Sequence, residues 1–266
     1  MRKRLIPCIF LKNGLIIRSE NFKIHQIIGN PVTEVARYND WAVDEIVYID
    51  ISKDSNYDFR RDDHKYKDDI KTKFDLIREV SKVCFVPLAF GGGIRTIEDI
   101  RKILHSGADK VVLNTILFIN KNFLKEAIAI FGSQALVACV DYIDNFVYHS
   151  HSTVNSKISV LDWCKYLENE GIGEIILNSV QRDGKANGYD IKTIKEVVDN
   201  AKIPIVALSG AGDYFDFVEC FQEANPSAVA AGNIFHFKEL SYYHGKQALL
   251  SSNIDIRQEL EALKVD

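Results

Sequence analysis

The chain has 266 residues, 47% of them hydrophobic and 26% charged, with a formal net charge of -4. That composition suits one large α/β domain or two small ones, and its mild acidity leaves no basic footprint for nucleic acid. No apolar run approaches the ~18 residues of a membrane span, and the run after Met1-Arg2-Lys3-Arg4 is too short for a signal peptide. The five cysteines (Cys8, Cys84, Cys139, Cys164 and Cys220) are odd in number and form no CxxC pair, so neither a disulfide framework nor a metal site is expected. A reduced, cytoplasmic protein without a cofactor is the default.

Apolar, β-branched runs alternate with helical patterns along the chain. Strands are expected over 5–10, 45–51, 85–90, 110–114, 135–141, 174–178, 203–208 and 228–232, with helical segments between them such as 31–41, 96–105 and 161–170. Strand-then-helix units over about 250 residues predict an α/β fold, a (β/α)8 TIM barrel occupying 1–266 as one domain. A doubly wound sheet is the alternative. In such a barrel the functional face is the C-terminal end of the strands.

Two glycine turns punctuate this pattern. Phe90-Gly91-Gly92-Gly93 precedes a strand ending at Asn114, and Leu208-Ser209-Gly210-Ala211-Gly212 precedes one ending at Gly232-Asn233. Gly93 to Gly212 and Asn114 to Asn233 are both 119 positions apart, which suggests two duplicated half-barrels. Glycines at a strand end let backbone approach a ligand, and their N–H groups with the next helix N-terminus make an anion site. The turns therefore predict one phosphate site per half, and a ligand phosphorylated at both ends; tight βα turns without a ligand are the other reading. Earlier landmarks are further apart: Glu45 to Glu174 is 129 positions and Phe10 to Asp141 is 131. The first half thus holds roughly ten extra residues, and the charge-dense stretch 52–73 is the candidate, either a solvated loop or one that shapes the site.

Several motifs then narrow the family. They are Gly29-Asn30-Pro31, Gly107-Ala108-Asp109-Lys110, Phe131-Gly132-Ser133-Gln134-Ala135, Arg182-Asp183-Gly184, Gly188-Tyr189-Asp190 and Phe235-His236-Phe237. With them the chain resembles, nearly end to end, the cyclase (HisF-type) subunit of imidazole glycerol phosphate synthase in histidine biosynthesis. The resemblance implies a glutaminase subunit docked on the N-terminal face of the barrel in a heterodimer. Ammonia then travels up the barrel axis to a bisphosphorylated substrate on the other face. It implies one phosphate site at Gly93, Asn114 and Thr115, and a second at Gly184, Gly210, Gly232 and Asn233. An ammonia gate of four charged residues falls on Arg4, Glu45, Lys110 and Glu174, each at or just before a strand start, and Asp109 falls at the partner interface. A purely structural ion-pair ring is the alternative for those four.

The resemblance breaks on the active face. The family uses two aspartates as acid and base. Asp141 matches one, but Phe10 stands where the other belongs, and phenylalanine cannot transfer a proton. A family lysine is Arg18, and Asn178, Gln181 and Leu208-Ser209 also depart from the pattern. Because the changes cluster on one face, the chain resembles paralogues of surface-polysaccharide pathways, which supply ammonia to a separate sugar amidotransferase. A true cyclase using Asp50 as substitute base, and a non-catalytic scaffold that activates the glutaminase, are the other expectations. His149 and His151 read as surface residues rather than ligands.

Overall fold

A computed structural model describes residues 2–20, 23–52, 57, 70–236 and 240–257. In chain order the strands and helices are β1 (Arg4–Lys12), β2 (Leu15–Glu20), β3 (Ile24–Gly29), α1 (Pro31–Asp40), β4 (Ile46–Asp50), α2 (Lys73–Ser81), β5 (Leu88–Gly91), α3 (Ile97–His105), β6 (Lys110–Leu113), α4 (Ile116–Ile119) and α5 (Phe123–Phe131). They continue with β7 (Leu136–Ile143), β8 (Phe146–His149), β9 (Val154–Ser159), α6 (Val160–Asn169), β10 (Glu174–Ser179), α7 (Ile191–Val198), β11 (Ile205–Leu208), α8 (Tyr214–Ala224), β12 (Ala228–Ala231) and α9 (Ser241–Ser251).

Parallel pairing runs β1-β4-β5-β6-β7-β10-β11-β12 and returns to β1, closing the expected (β/α)8 barrel. These strands are covered on both sides, which is why they read as continuous apolar runs. Alternation splits them into two sets. Ile6, Cys8, Val47, Val112, Val137 and Ile176 belong to the cluster that fills the lumen, while Leu5, Ile9, Tyr48, Phe90, Val111 and Ile175 pack under the helices. Of the stretch 52–73, residues 53–56 and 58–69 lie outside the described residues, as does Phe237.

Three features differ from the sequence expectation. First, β5 and β11 begin at Leu88 and Ile205 rather than at 85 and 203. Pro87 and Pro204 have no N–H for the ladder and offer only carbonyls, which accept from the N–H groups of Ile46 and Ile175. Phe85 is thereby left 84% exposed below the barrel. Second, two hairpins were missed: β2 and β3 extend β1 antiparallel, and β8 and β9 extend β7. Their turns, Asn13-Gly14 and Asp144-Asn145, carry paired positive φ angles of 51° and 76°, and 47° and 67°, the signature of a type I′ hairpin. Third, the 119-residue spacing is out of step with the strands. Val112, Ala228 and Ala230 face the lumen, so Asn114 shares its inward parity with Gly232, and Asn233 matches Thr115. The spacing there is 118, and a one-residue slip changes which side a residue faces.

Helix α9 fastens the end of the barrel to its beginning. The Lys246 ammonium donates to Asp44 Oδ1 at 2.6 Å and both residues are buried. Asp44 Oδ2 accepts from Leu5 N–H at 2.8 Å, while the Tyr242 hydroxyl donates to Leu5 O at 2.9 Å. Among the described residues, no helix is long and apolar enough to cross a membrane.

Candidate functional site

At the N-terminal mouth, Arg4, Glu45, Lys110 and Glu174 form one closed ring. Arg4 donates to Glu45 through one guanidinium nitrogen and to Glu174 through another. Lys110 Nζ completes the circuit, 2.8 Å from Glu45 Oε1 and 2.9 Å from Glu174 Oε2. Arg4, Lys110 and Glu174 open their strands and Glu45 immediately precedes β4, so all four lie at the N-terminal ends of the barrel strands. Two cations and two anions cancel, and each carboxylate oxygen takes one donor. Burial disfavours charge at Glu174, but Arg4 and Lys110 together outweigh it and hold its carboxyl below the usual value. Burial likewise works against Lys110, and Glu45 and Glu174 hold its ammonium above the usual value. Asp109, beside the ring, is exposed and its carboxylate accepts from Leu88 N–H at 2.8 Å, holding the start of β5.

At the other end of the lumen, Asp141 is the centre of a hydrogen-bond network. Its Oδ1 accepts from Asn178 Nδ2 at 2.8 Å, and its Oδ2 accepts from Asn114 Nδ2 at 3.0 Å and Ser152 Oγ at 3.1 Å. Asn178 is itself oriented by Ser209, whose hydroxyl donates to Asn178 Oδ1 at 2.7 Å. Burial pushes the Asp141 carboxyl above the ordinary carboxylate value, only partly offset by the bonds from Asn178, Ser152, Cys139 and Asn114. A raised carboxyl of this kind suits proton transfer nearer neutral pH. Ser209 stands in the sequence as a departure from the family pattern, but its partner Asn178 lies on another strand; Ser152 carries no sequence signal, because only the fold of its turn brings it to Asp141.

Phe10 follows Ile6 and Cys8 on the lumen side of β1, four strands around the eight-stranded ring from β7, and so stands across the lumen from Asp141. Asp50, the expected substitute base, does not share the lumen side of the wall with Phe10. It follows the lumen-packed Ile49 and so faces the opposite side of β4. Both its oxygens are engaged, Oδ1 by Ser52 N–H at 2.9 Å and Oδ2 by the Tyr57 hydroxyl at 2.8 Å.

The two glycine turns are not equivalent. At the first, the Gly92 and Gly93 carbonyls accept from Lys73 Nζ at 2.9 and 3.1 Å, and Thr115 Oγ1 accepts from Ser150 N–H at 3.0 Å. The second borders a cavity of about 210 Å³ lined by Gly184, Gly210, Gly212, Gly232 and Asn233 with Arg18, Phe10 and Leu208. Gly210 and Gly232 are needed there. A Cβ on Gly210, at φ 108°, would lie 2.1 Å from Gly188 O, and one on Gly232 would lie 2.6 Å from Cys8 O. The helix starts contribute less than expected. Asp99 takes the N–H groups of Arg95 and Thr96, and Asp216 takes those of Gly212 and Asp213. The cavity is lined instead by glycine backbone, Arg18, and the 3-10 turn that begins at Asn233 after the last barrel strand, the place where barrels commonly cradle phosphate. His149 is half-buried, its ring stacked on Phe118 at 4.6 Å.

The sequence model of the histidine biosynthesis protein family matches residues 4–241. The chain belongs to that family. A relative from Hydrogenobaculum sp., "Imidazole glycerol phosphate synthase subunit HisF", is 35% identical over 262 residues, covering 97% of this chain and 99% of the relative. Two others carry the name "Putative imidazole glycerol phosphate synthase subunit hisF2". The one from Vibrio vulnificus is 38% identical over 261 residues, 97% of this chain and 92% of its own. The one from Pseudomonas aeruginosa is 33% identical over 264 residues, 97% and 98% respectively. Within the family, the chain is therefore of the HisF type.

Proposed function

We propose that this chain is the synthase subunit of a glutamine-dependent amidotransferase, and that it passes ammonia along the barrel axis without performing the standard cyclisation. The observation that carries this reading is the contrast between the two mouths. The charged ring is complete, whereas the position across from Asp141 is Phe10. The lumen between them is filled by small and branched apolar side chains such as Ala89, Val112 and Ala230, and on this reading a small neutral molecule passes between them. On this reading the ammonia comes from a glutaminase docked at the ring, beside Asp109, in a cytoplasmic heterodimer. It goes to a sugar amidotransferase of surface-polysaccharide biosynthesis, and the cavity at Gly184, Gly210, Gly232 and Asn233 takes a phosphorylated ligand. Gly93, Asn114 and Thr115 form the second, Lys73-capped anion position.

A genuine cyclase would need a second proton-transfer group opposite Asp141, and Asp50 faces away. Steady-state turnover of the bisphosphorylated cyclase substrate with saturating ammonium tests the reading without any glutaminase. Loss of one acid–base group predicts rates roughly 10²–10⁴-fold below an ordinary cyclase. Turnover within about tenfold of one overturns the proposal. Phe10→Asp should recover part of the activity. A scaffold that only activates its partner would stimulate glutaminase yet deliver no ammonia to an acceptor.

A further inference from the structure

We infer that the tip of the β8–β9 hairpin, residues 150–153, is a strained latch closed on Asp141, and that Asp141 meets a molecule at the barrel mouth only when the latch lifts. The carboxylate itself gives the first reason. Its two oxygens offer about four acceptor positions, and four donors take them. Asn178 and Asn114 donate at 2.8 and 3.0 Å, Ser152 Oγ at 3.1 Å, and the Cys139 thiol, a weak donor, at 3.6 Å. A molecule that brings a proton or an N–H group to Asp141 must displace one of them. Asn178 and Cys139 sit in barrel strands and Asn114 directly follows one, so their withdrawal would deform the barrel wall. Of the four, Ser152 comes from a hairpin tip, and it is the donor that can leave.

The tip is also held shut against its own backbone. Ser150, His151 and Ser152 have φ angles of 54°, 59° and 58°. In that left-handed region Cβ crowds the following carbonyl oxygen, which disfavours each non-glycine residue by roughly tenfold, and such residues normally occur singly. Two bonds oppose the strain: the one from Ser152 to Asp141, and that from Ser150 N–H to Thr115 Oγ1 at 3.0 Å. The tip contributes only small or polar side chains, and His151 and Thr153 are exposed. Lifting it therefore breaks few bonds, releases strain and uncovers little apolar surface, the conditions for local opening. The base of the hairpin stays anchored. His149 pairs with Val154, and its ring stacks on Phe118, which stacks in turn on Trp163 at 4.1 Å.

Amide hydrogen exchange at Ser150, whose N–H is bonded to Thr115 in the closed tip, tests this. In the wild-type chain it should exchange at least ~100-fold faster than the ladder amides of β10, because the tip opens without the barrel. Ser152→Ala removes a bond to the carboxylate and should speed that exchange roughly tenfold. His151→Gly relieves the left-handed backbone and should slow it about fivefold or more. Carbodiimide coupling of Asp141 to an added amine, read by mass spectrometry, should follow the same order, fastest in Ser152→Ala and slowest in His151→Gly. Opposite shifts in the two variants distinguish a strained latch from a turn that merely packs, which both substitutions would loosen. Ser150 exchanging no faster than β10, both variants shifting the same way, or Asp141 coupling unmoved in both, overturns the inference.

Discussion

Lys110→Met is the most demanding test of the charged ring, because it removes one cation from between two buried carboxylates. Lys110 is bonded to Glu45 at 2.8 Å and to Glu174 at 2.9 Å, and those glutamates are only 4% and 7% exposed. Methionine keeps most of the side-chain volume, so packing is little altered and the change is electrostatic. Three charges remain, one positive and two negative, and Arg4 must serve both carboxylates alone. Breaking a buried ion pair by deleting one partner costs about 3–5 kcal/mol, and that is the expected loss at pH 7.5. The pH dependence gives a sharper signature. In the wild-type chain the Glu174 carboxyl is held below its usual value by Arg4 and Lys110 acting against burial. Its contribution to stability is therefore present above the unfolded value near ~4.3 and fades as pH falls through the folded value. With Lys110 removed, burial dominates and the carboxyl shifts upward, so folding takes up a proton and the variant is penalised most at high pH. The stability difference between the two proteins should shrink steadily from pH 7.5 to pH 5. Urea unfolding followed by circular dichroism at both pH values measures it. A difference below ~1 kcal/mol at pH 7.5, or one that stays constant with pH, would refute the claim that the ring is a coupled, buried set of charges.

Other outcomes follow from the same geometry. Asn178→Leu removes the 2.8 Å bond to Asp141 Oδ1 that favours the ionised form. The Asp141 carboxyl, already raised by burial, should move higher still, as read by carbon-13 carboxyl titration; an unchanged titration would mean that Ser152 and Asn114 govern it. Since a raised folded value means that protonation favours folding, Asn178→Leu should also cost more stability at pH 8 than at pH 5. Lys246→Met leaves Asp44 buried without its cation and should cost about 3–5 kcal/mol. The double variant with Asp44→Asn should regain part of that loss in the same urea assay, and no recovery would argue that Lys246 acts through its bond to Arg257 O instead.

What the sequence by itself determined about this protein is its alternation. The starts of β1, β4, β6 and β10 were legible from β-branched runs, and the family resemblance set Arg4, Glu45, Lys110 and Glu174 at or just before them. Parity then follows within each strand. Phe10, Asn114 and Asn178 are an even number of residues beyond Arg4, Lys110 and Glu174, so they share the lumen face at the far end. The structure then shows that Asp50, an odd number beyond Glu45, falls on the other side of the barrel wall, and that Gly232 rather than Asn233 shares the parity of Asn114. The type I′ turns at Asn13-Gly14 and Asp144-Asn145 are equally local, yet the hairpins after the first and fifth barrel strands were not among the sequence expectations. Only the tertiary structure decided which groups meet. The bonds from Asn114, Asn178 and Ser152 to Asp141 join the ends of three strands, β6, β7 and β10, with a turn, and depend on how the barrel closes and staggers. The same closure brings Phe10 and Leu208 to the rim of one cavity. Alternation is set by the backbone of each strand, one residue after another, but stagger and closure are properties of all eight strands at once, and no single stretch of sequence carries them.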